Sequence, residues 1–216
     1  GNLWLFGDSV FCRYDGANFT DYFATASAAL PNLSWVMAGP ALPSNKLLIY
    51  LVFDNKYHPY QFDMGGLTFS AFPQDNQAVL PFNNTFPSLK DDSGTIWFGC
   101  YGWAINNGLI KYHPNGTWSR PDLANHGIDG AILNLTKDTG NTVILGYGDL
   151  SSQGPVRIQD TSFTHLNDPN NTYYKNVMSL AIDTNHHFWF GGDGAGVTQP
   201  LAEYFNGTIT DHYNPS

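Results

Sequence analysis

Glutamate is nearly missing from this chain: among 216 residues there is only Glu203, and lysine plus arginine number 9. A chain so short of Glu and Lys lacks favoured helix residues, whereas its 15 Phe, 12 Tyr and 22 Gly, with many Asn and Thr, suit strands and turns. The expected class is all-β. The shortage of cations also excludes partners, because 9 basic against 18 acidic side chains give a net charge of −9, the wrong sign for neutralising nucleic-acid phosphates or an anionic bilayer surface. No apolar run approaches the roughly 20 residues of a membrane-crossing helix, so no membrane insertion is expected. No signal peptide is recognisable, and the chain is read as mature or as a segment of something longer. The two cysteines, Cys12 and Cys100, fall in different repeat units and are expected to be unpaired and mostly buried.

What is present repeats. "DDSGTIWFGCYG" from Asp91, "DTGNTVILGYGD" from Asp138 and "DTNHHFWFGGDG" from Asp183 each place an Asp six residues before an apolar anchor and a Gly two residues after it. The anchor and Gly pairs are Trp97 with Gly99, Ile144 with Gly146, and Trp189 with Gly191. Weaker copies centre on Trp4 in "GNLWLFG" and Leu48 in "SNKLLIY", so the five anchors are spaced by 44, 49, 47 and 45 residues. Each copy reads as four short alternating runs bounded by Gly, Asn, Asp and Pro, which are strand and hairpin signals. Units of roughly 40–50 residues with four strands are propeller blades. The chain is therefore expected to form a β-propeller over 1–216, as a single domain of about five four-stranded blades with units near 1–24, 25–72, 73–122, 123–168 and 169–216.

The motif residues are expected to be structural. A short carboxylate such as Asp91, Asp138 or Asp183 bonds backbone amides in a turn. Trp97 and Trp189 are expected to bury their rings between neighbouring blades, and Gly99 and Gly191 to allow close backbone approach or a bulge.

The "D-x-x-G-x-[IL]-W-[FI]-G…G-[LV]" pattern resembles the propeller repeats of two-component regulator sensor ectodomains. "GNLWLFG" and "FNGTITDHYNP" are similar to repeats of the streptogramin (virginiamycin B) lyase propellers. The resemblance is strongest over 86–120 and 177–216 and implies shape, since such repeats serve enzymes, sensors and inert modules alike.

A lyase would need clustered carboxylates and a His base. The single Glu lies in a predicted third strand, and adjacent His186 and His187 would point to opposite faces of an extended strand. "GGDGAG" at 191–196 precedes no helix and so fails the context for dinucleotide binding. Neither a catalytic group nor a metal or other cofactor is expected.

Asn-x-Ser/Thr sequons begin at Asn18, Asn32, Asn83, Asn115, Asn134, Asn170 and Asn206, more than twice the roughly three that this composition gives by chance. Asn18, Asn115 and Asn206 fall at or near turns before fourth strands, and Asn32, Asn83 and Asn170 in connections between blades. Asn134 falls in a predicted innermost strand and is expected to be the least available. Glycosylation of the other six implies an extracellular or cell-surface protein.

The first unit begins inside its second strand, which would leave a blade edge open. Truncation, a stable three-stranded blade, or a strand donated by another molecule each account for it, and donation would make self-association the partner interaction. The leading functional reading is a non-catalytic extracellular propeller for binding or structural assembly, glycosylated and capable of forming a polymer or filament. One alternative is a lectin whose Tyr101, Trp103 and Trp118 stack on sugars. Another is a lyase-like enzyme or part of a sensor ectodomain.

Overall fold

The computed structural model describes residues 2–30, 32–73, 85–100, 108–126, 128, 131–148, 155–166, 176–193 and 201–211. Short polar reversals cut the chain into strands. Asp54 and Asn55 (φ 52° and 59°) and Asn206 and Gly207 (φ 49° and 83°) each form a two-residue hairpin turn of the type whose twist matches paired strands. Between such reversals run strands whose apolar side chains build the core.

Two compact units result, Gly1–Thr85 and Phe86–Ser216. In the first, β1 (Leu3–Gly7), β2 (Val10–Tyr14) and β3 (Phe19–Asp21) form a three-stranded sheet. A four-stranded sheet follows, with β4 (Trp35–Leu42), β5 (Lys46–Phe53), β6 (Lys56–Asp63) and β7 (Thr68–Ala71) in spatial order. Leu48, the weak anchor, lies in β5, and Leu48, Ile49, Tyr50 and Leu51 are all buried. Between the two sheets stands an element absent from the all-β expectation, the helix α1 (Phe23–Ala29). Its sequence is Ala-rich, the Asp21 carboxylate accepts the Phe23 N–H at 2.7 Å at its start, and Pro31 disfavours helical backbone at Leu30 at its end. Trp4 and Phe6 pack with Phe11, Val36, Ile49 and Phe62, which joins the first sheet to the second.

The second unit contains three sheets of one plan. They comprise β8 (Thr85–Lys90), β9 (Ile96–Cys100), β10 (Leu109–Tyr112) and β11 (Trp118–Ser119); then β12 (Ala131–Lys137), β13 (Val143–Gly148), β14 (Val156–Gln159) and β15 (Ser162–His165); then β16 (Asn176–Ile182), β17 (Phe188–Asp193), β18 (Leu201–Phe205) and β19 (Thr208–Asp211). Within each, consecutive strands are antiparallel neighbours, and a single bridge, Gly148↔Asn176, joins the last two sheets. The architecture is that of β-propeller blades, five in number, of which the first has three described strands.

Glycine after the anchor is required by contact between blades. A Cβ on Gly99 would lie 2.8 Å from Ile132 Cγ2, and one on Gly146 would lie 2.7 Å from Val177 Cγ1. Ile132 and Val177 belong to the innermost strand of the next blade, at the residue where that strand bulges. Trp97 is 4% exposed and packs among Leu135, Val143, Leu145 and Ile158, all from the following blade. Trp189 departs from expectation: it is only half-buried, because no strand described in its unit covers that face. Cys100 is buried, whereas Cys12 is only half-buried on the outer face of the first sheet; both thiols are free.

Candidate functional site

The repeated Asp is a clamp on its own turn. Asp91 is 5% exposed; its Oδ1 accepts the Thr95 N–H at 2.9 Å and the Ser93 hydroxyl at 2.6 Å, while Oδ2 accepts the Trp97 indole N–H at 2.7 Å. The spacing of six follows from this geometry, because one carboxylate oxygen closes the turn and the other reaches the first inward ring of the returning strand. Asp183 repeats the arrangement, with Asn185 N–H at 2.8 Å, His187 N–H at 3.1 Å and Trp189 Nε1 at 3.2 Å. The His187 backbone N–H holds its carboxyl below the ordinary aspartate value, assisted by Trp189 and Asn185. Asp138 differs because its anchor, Ile144, offers no side-chain N–H: its Oδ1 accepts the Thr139 N–H at 2.8 Å and bonds His186 Nδ1 at 2.6 Å.

The third residue after each Asp has left-handed backbone: Gly94 (φ 86°), Asn141 (φ 60°) and His186 (φ 62°). Where that residue has a polar side chain, it reaches back to the preceding turn. Asn141 Oδ1 accepts the Ser93 N–H at 2.9 Å, and His186 meets Asp138. Lys137 adds an ion pair to Asp92. His187 faces elsewhere and pairs with Glu203, the only glutamate, while its ring lies 4.0 Å from that of Phe205. The adjacent histidines therefore serve different blades, and no cluster of three or more metal-ligating side chains occurs among the described residues.

Beside the Asp91 clamp lies a groove that sequence reading missed. A cavity of about 150 Å³ is lined by Asp91, Trp97, Lys111, His113, Asn141 and Asp160, and a second of about 300 Å³ shares Lys111 and Asp160 and continues to Arg120, His126 and Phe163. Lys111 Nζ sits 3.8 Å from the Trp97 ring centroid, a cation–π contact. Burial lowers the Lys111 pKa, against the attraction of Asp91 and Asp160. His113 bonds the Ser119 hydroxyl through Nε2 at 2.7 Å. The groove brings cations, anions and the Trp97 ring together. Its signal in the sequence was slight: Lys111 pairs across strands with Trp97, which places both on one face.

Of the proposed stacking residues, Trp118 packs against Tyr112 and Phe98 at ring distances of 4.7 and 5.7 Å, while Tyr101 and Trp103 lie outside the described residues. Asn18, Asn32, Asn115 and Asn206 are exposed, and Asn83 and Asn170 lie outside the described residues. Asn134 Nδ2 donates to the Met178 carbonyl of the next blade at 2.9 Å, a bond that a glycan on that nitrogen would displace.

No protein-family model matches the chain, and no curated protein matches it. Solved structures do. The chain is similar to the extracellular domain of a putative one component system from B. thetaiotaomicron, with a TM-score of 0.72 and 20% identity over 99% of this chain and 26% of that one. It is also similar to the extracellular domain of a putative hybrid two component system from the same organism, with a TM-score of 0.68 and 16% identity over 97% of this chain and 28% of that one. A third similar chain belongs to a nidogen/laminin complex, with a TM-score of 0.61 and 11% identity over 94% of this chain and 74% of that one. The chain thus spans about a quarter of the length of these two sensor domains. The likeness to the sensor domains agrees with the repeat motifs and establishes the propeller type of fold.

Proposed function

We propose that this chain is a non-catalytic extracellular propeller module that acts in binding or structural assembly and carries N-linked glycans. The observation that carries the reading is how the conspicuous polar residues are used. Asp91 and Asp183 are engaged in their own turns, His186 bonds the preceding turn, and His187 pairs with Glu203. The exposure of Asn18, Asn32, Asn115 and Asn206 supports glycan attachment, and the extracellular origin of the two sensor domains supports location outside the cell. Peptide mapping of native material before and after peptide N-glycosidase, together with protease shaving of intact cells, tests this. Hexose-bearing peptides at those four Asn residues, released by shaving, are expected; an unmodified chain protected inside the cell overturns the reading.

Three alternatives lead to different experiments. A sensor-domain role is favoured by the similarity to sensor extracellular domains and requires saturable ligand binding. A lectin role needs accessible aromatics, which the packing of Trp118 does not favour. The lyase reading rests on the motif resemblance alone and requires turnover.

A further inference from the structure

The third and fourth blades touch along their inner strands and leave a groove between their outer ones. Trp97, Lys111 and Ser119 stand opposite one another in adjacent strands of the third blade, so they form a row on one face. Val143, Ile158 and Phe163 form such a row in the fourth blade. Trp97 packs on Val143 and Ile158 at the inner end. Further out, Lys111 and Asp160 line both cavities of the groove, and the Phe163 ring, stacked on His126 at 4.1 Å, lines the larger one.

Two cations of the third blade lack the partners that burial calls for. Lys111 Nζ rests on the Trp97 ring, and among the described residues it has no hydrogen bond and no carboxylate within ion-pair distance. Burial lowers its pKa, as expected of an ammonium drawn out of water. Arg120 lines the larger cavity; its Nε is buried without an acceptor, and no described residue accepts from the rest of its guanidinium. The nearby carboxylates are engaged or at the rim. Asp91 is bonded by Ser93, Thr95 and Trp97, and Asp122 by Asn125. Asp160 is exposed in the β14–β15 turn, where its carboxylate accepts from no described residue. Buried donors and charges without partners are costly and uncommon.

From this arrangement we infer that the groove binds a small ligand through carboxylate or phosphoryl oxygens, with Lys111 and Arg120 as donors and Asp160 accepting from the ligand's hydroxyl groups at the rim. Charge-assisted bonds from both cations would supply the missing partners. The larger cavity, about 300 Å³, lies at the small end of ligand pockets and fits a molecule of a few carbons. The ligand would bridge two blades, since the donors belong to one and Asp160 to the next. This site rests on the binding half of the reading above, to which it adds a place and a ligand chemistry.

The test titrates the full chain with three probes of one carbon skeleton: D-glycerate, glycerol 3-phosphate and glycerol. Calorimetry is expected to show saturable binding of at least one of the two anions and none of glycerol, and the anion that binds identifies the oxygen-bearing group. Lys111→Met and Arg120→Gln should each weaken that binding about tenfold or more while leaving the circular dichroism spectrum unchanged. In chain carrying ¹³C-labelled lysine, the Lys111 Cε resonance, assigned by its loss in Lys111→Met, should move with the same saturation curve; this readout holds even where a variant fails to fold. Binding of neither anion, glycerol binding as tightly as the anions, or a Lys111 resonance that stays still while an anion binds would each overturn the site. A chain that binds no probe but is shaved from the cell surface with its glycans defeats the groove and spares the module reading. An anion that binds and is converted to product leaves the site standing and overturns the non-catalytic reading.

Discussion

Ser93 and Asn141 are 48 residues apart in the chain and 2.9 Å apart in space, the Ser93 N–H donating to Asn141 Oδ1. The same separation recurs between Asp138 and His186 at 2.6 Å. One repeat length therefore carries a turn onto its successor. The contacting side chain springs from a left-handed residue in both cases, because that backbone reverses the strand and aims the side chain at the preceding turn.

The Asp91 clamp is expected to dominate local stability. Asp91→Ala leaves the Thr95 amide and Trp97 indole without their acceptor and should cost about 3 kcal/mol. Asp91→Asn retains one oxygen but turns an amide N–H₂ toward a donor, and should cost about 2 kcal/mol. Urea titration checks both: the midpoint should fall at constant slope.

Gly146 should tolerate a methyl less well than Gly140. Gly146→Ala forces a Cβ to within 2.7 Å of Val177 and should cost about 2 kcal/mol, with part restored by adding Val177→Ala. At Gly140 there is nothing within 4 Å of the added Cβ, so Gly140→Ala meets only the strain of φ 65° and should cost about 1 kcal/mol. A thermal-melt double-mutant cycle on Gly146 and Val177 should show coupling.

Acid should weaken the fold through turn carboxylates. Backbone N–H groups, chiefly from Asn18, Gly66 and His187 respectively, hold Asp15, Asp63 and Asp183 below the ordinary 3.8. Their stabilisation is complete above the unfolded value and is lost as pH falls through the lower folded values. Melting temperature followed between roughly pH 5 and 2 should drop less steeply in the Asp15→Asn, Asp63→Asn, Asp183→Asn triple variant than in wild type.

The two thiols should differ in reactivity. Burial pushes the Cys100 thiol up to about 12, whereas Cys12 is half-buried. A thiol reagent near neutral pH should modify Cys12 first and reach Cys100 only on unfolding. Because the folded Cys100 pKa is raised, the fold should also lose stability as pH rises past the unfolded thiol value, a loss absent in Cys100→Ala.

Glycan mapping should separate the sequons by geometry. Asn115 and Asn206 sit exposed in turns and should be occupied, while Asn134, bonded to Met178, should not. Replacing Asn134 by Ala should cost about 1 kcal/mol by removing that cross-blade bond.

The sequence by itself determined the blade plan. The roughly 47-residue recurrence, the Asp six residues before its anchor, the alternating strands and the polar reversals are local patterns, and local sterics and hydrogen bonding suffice to read them. The three described strands of the first sheet, with Trp4 in the first of them, agree with that plan. The tertiary structure decided what depends on the neighbouring blade. It alone placed Lys111 over Trp97 and near Asp160, joined Ser93 to Asn141 and His186 to Asp138, and left Trp189 and Cys12 half-buried where burial was expected. A strand's own alternation says which side chains share a face, but exposure and partnership are settled by what packs on that face, and those residues lie a whole repeat away in the chain.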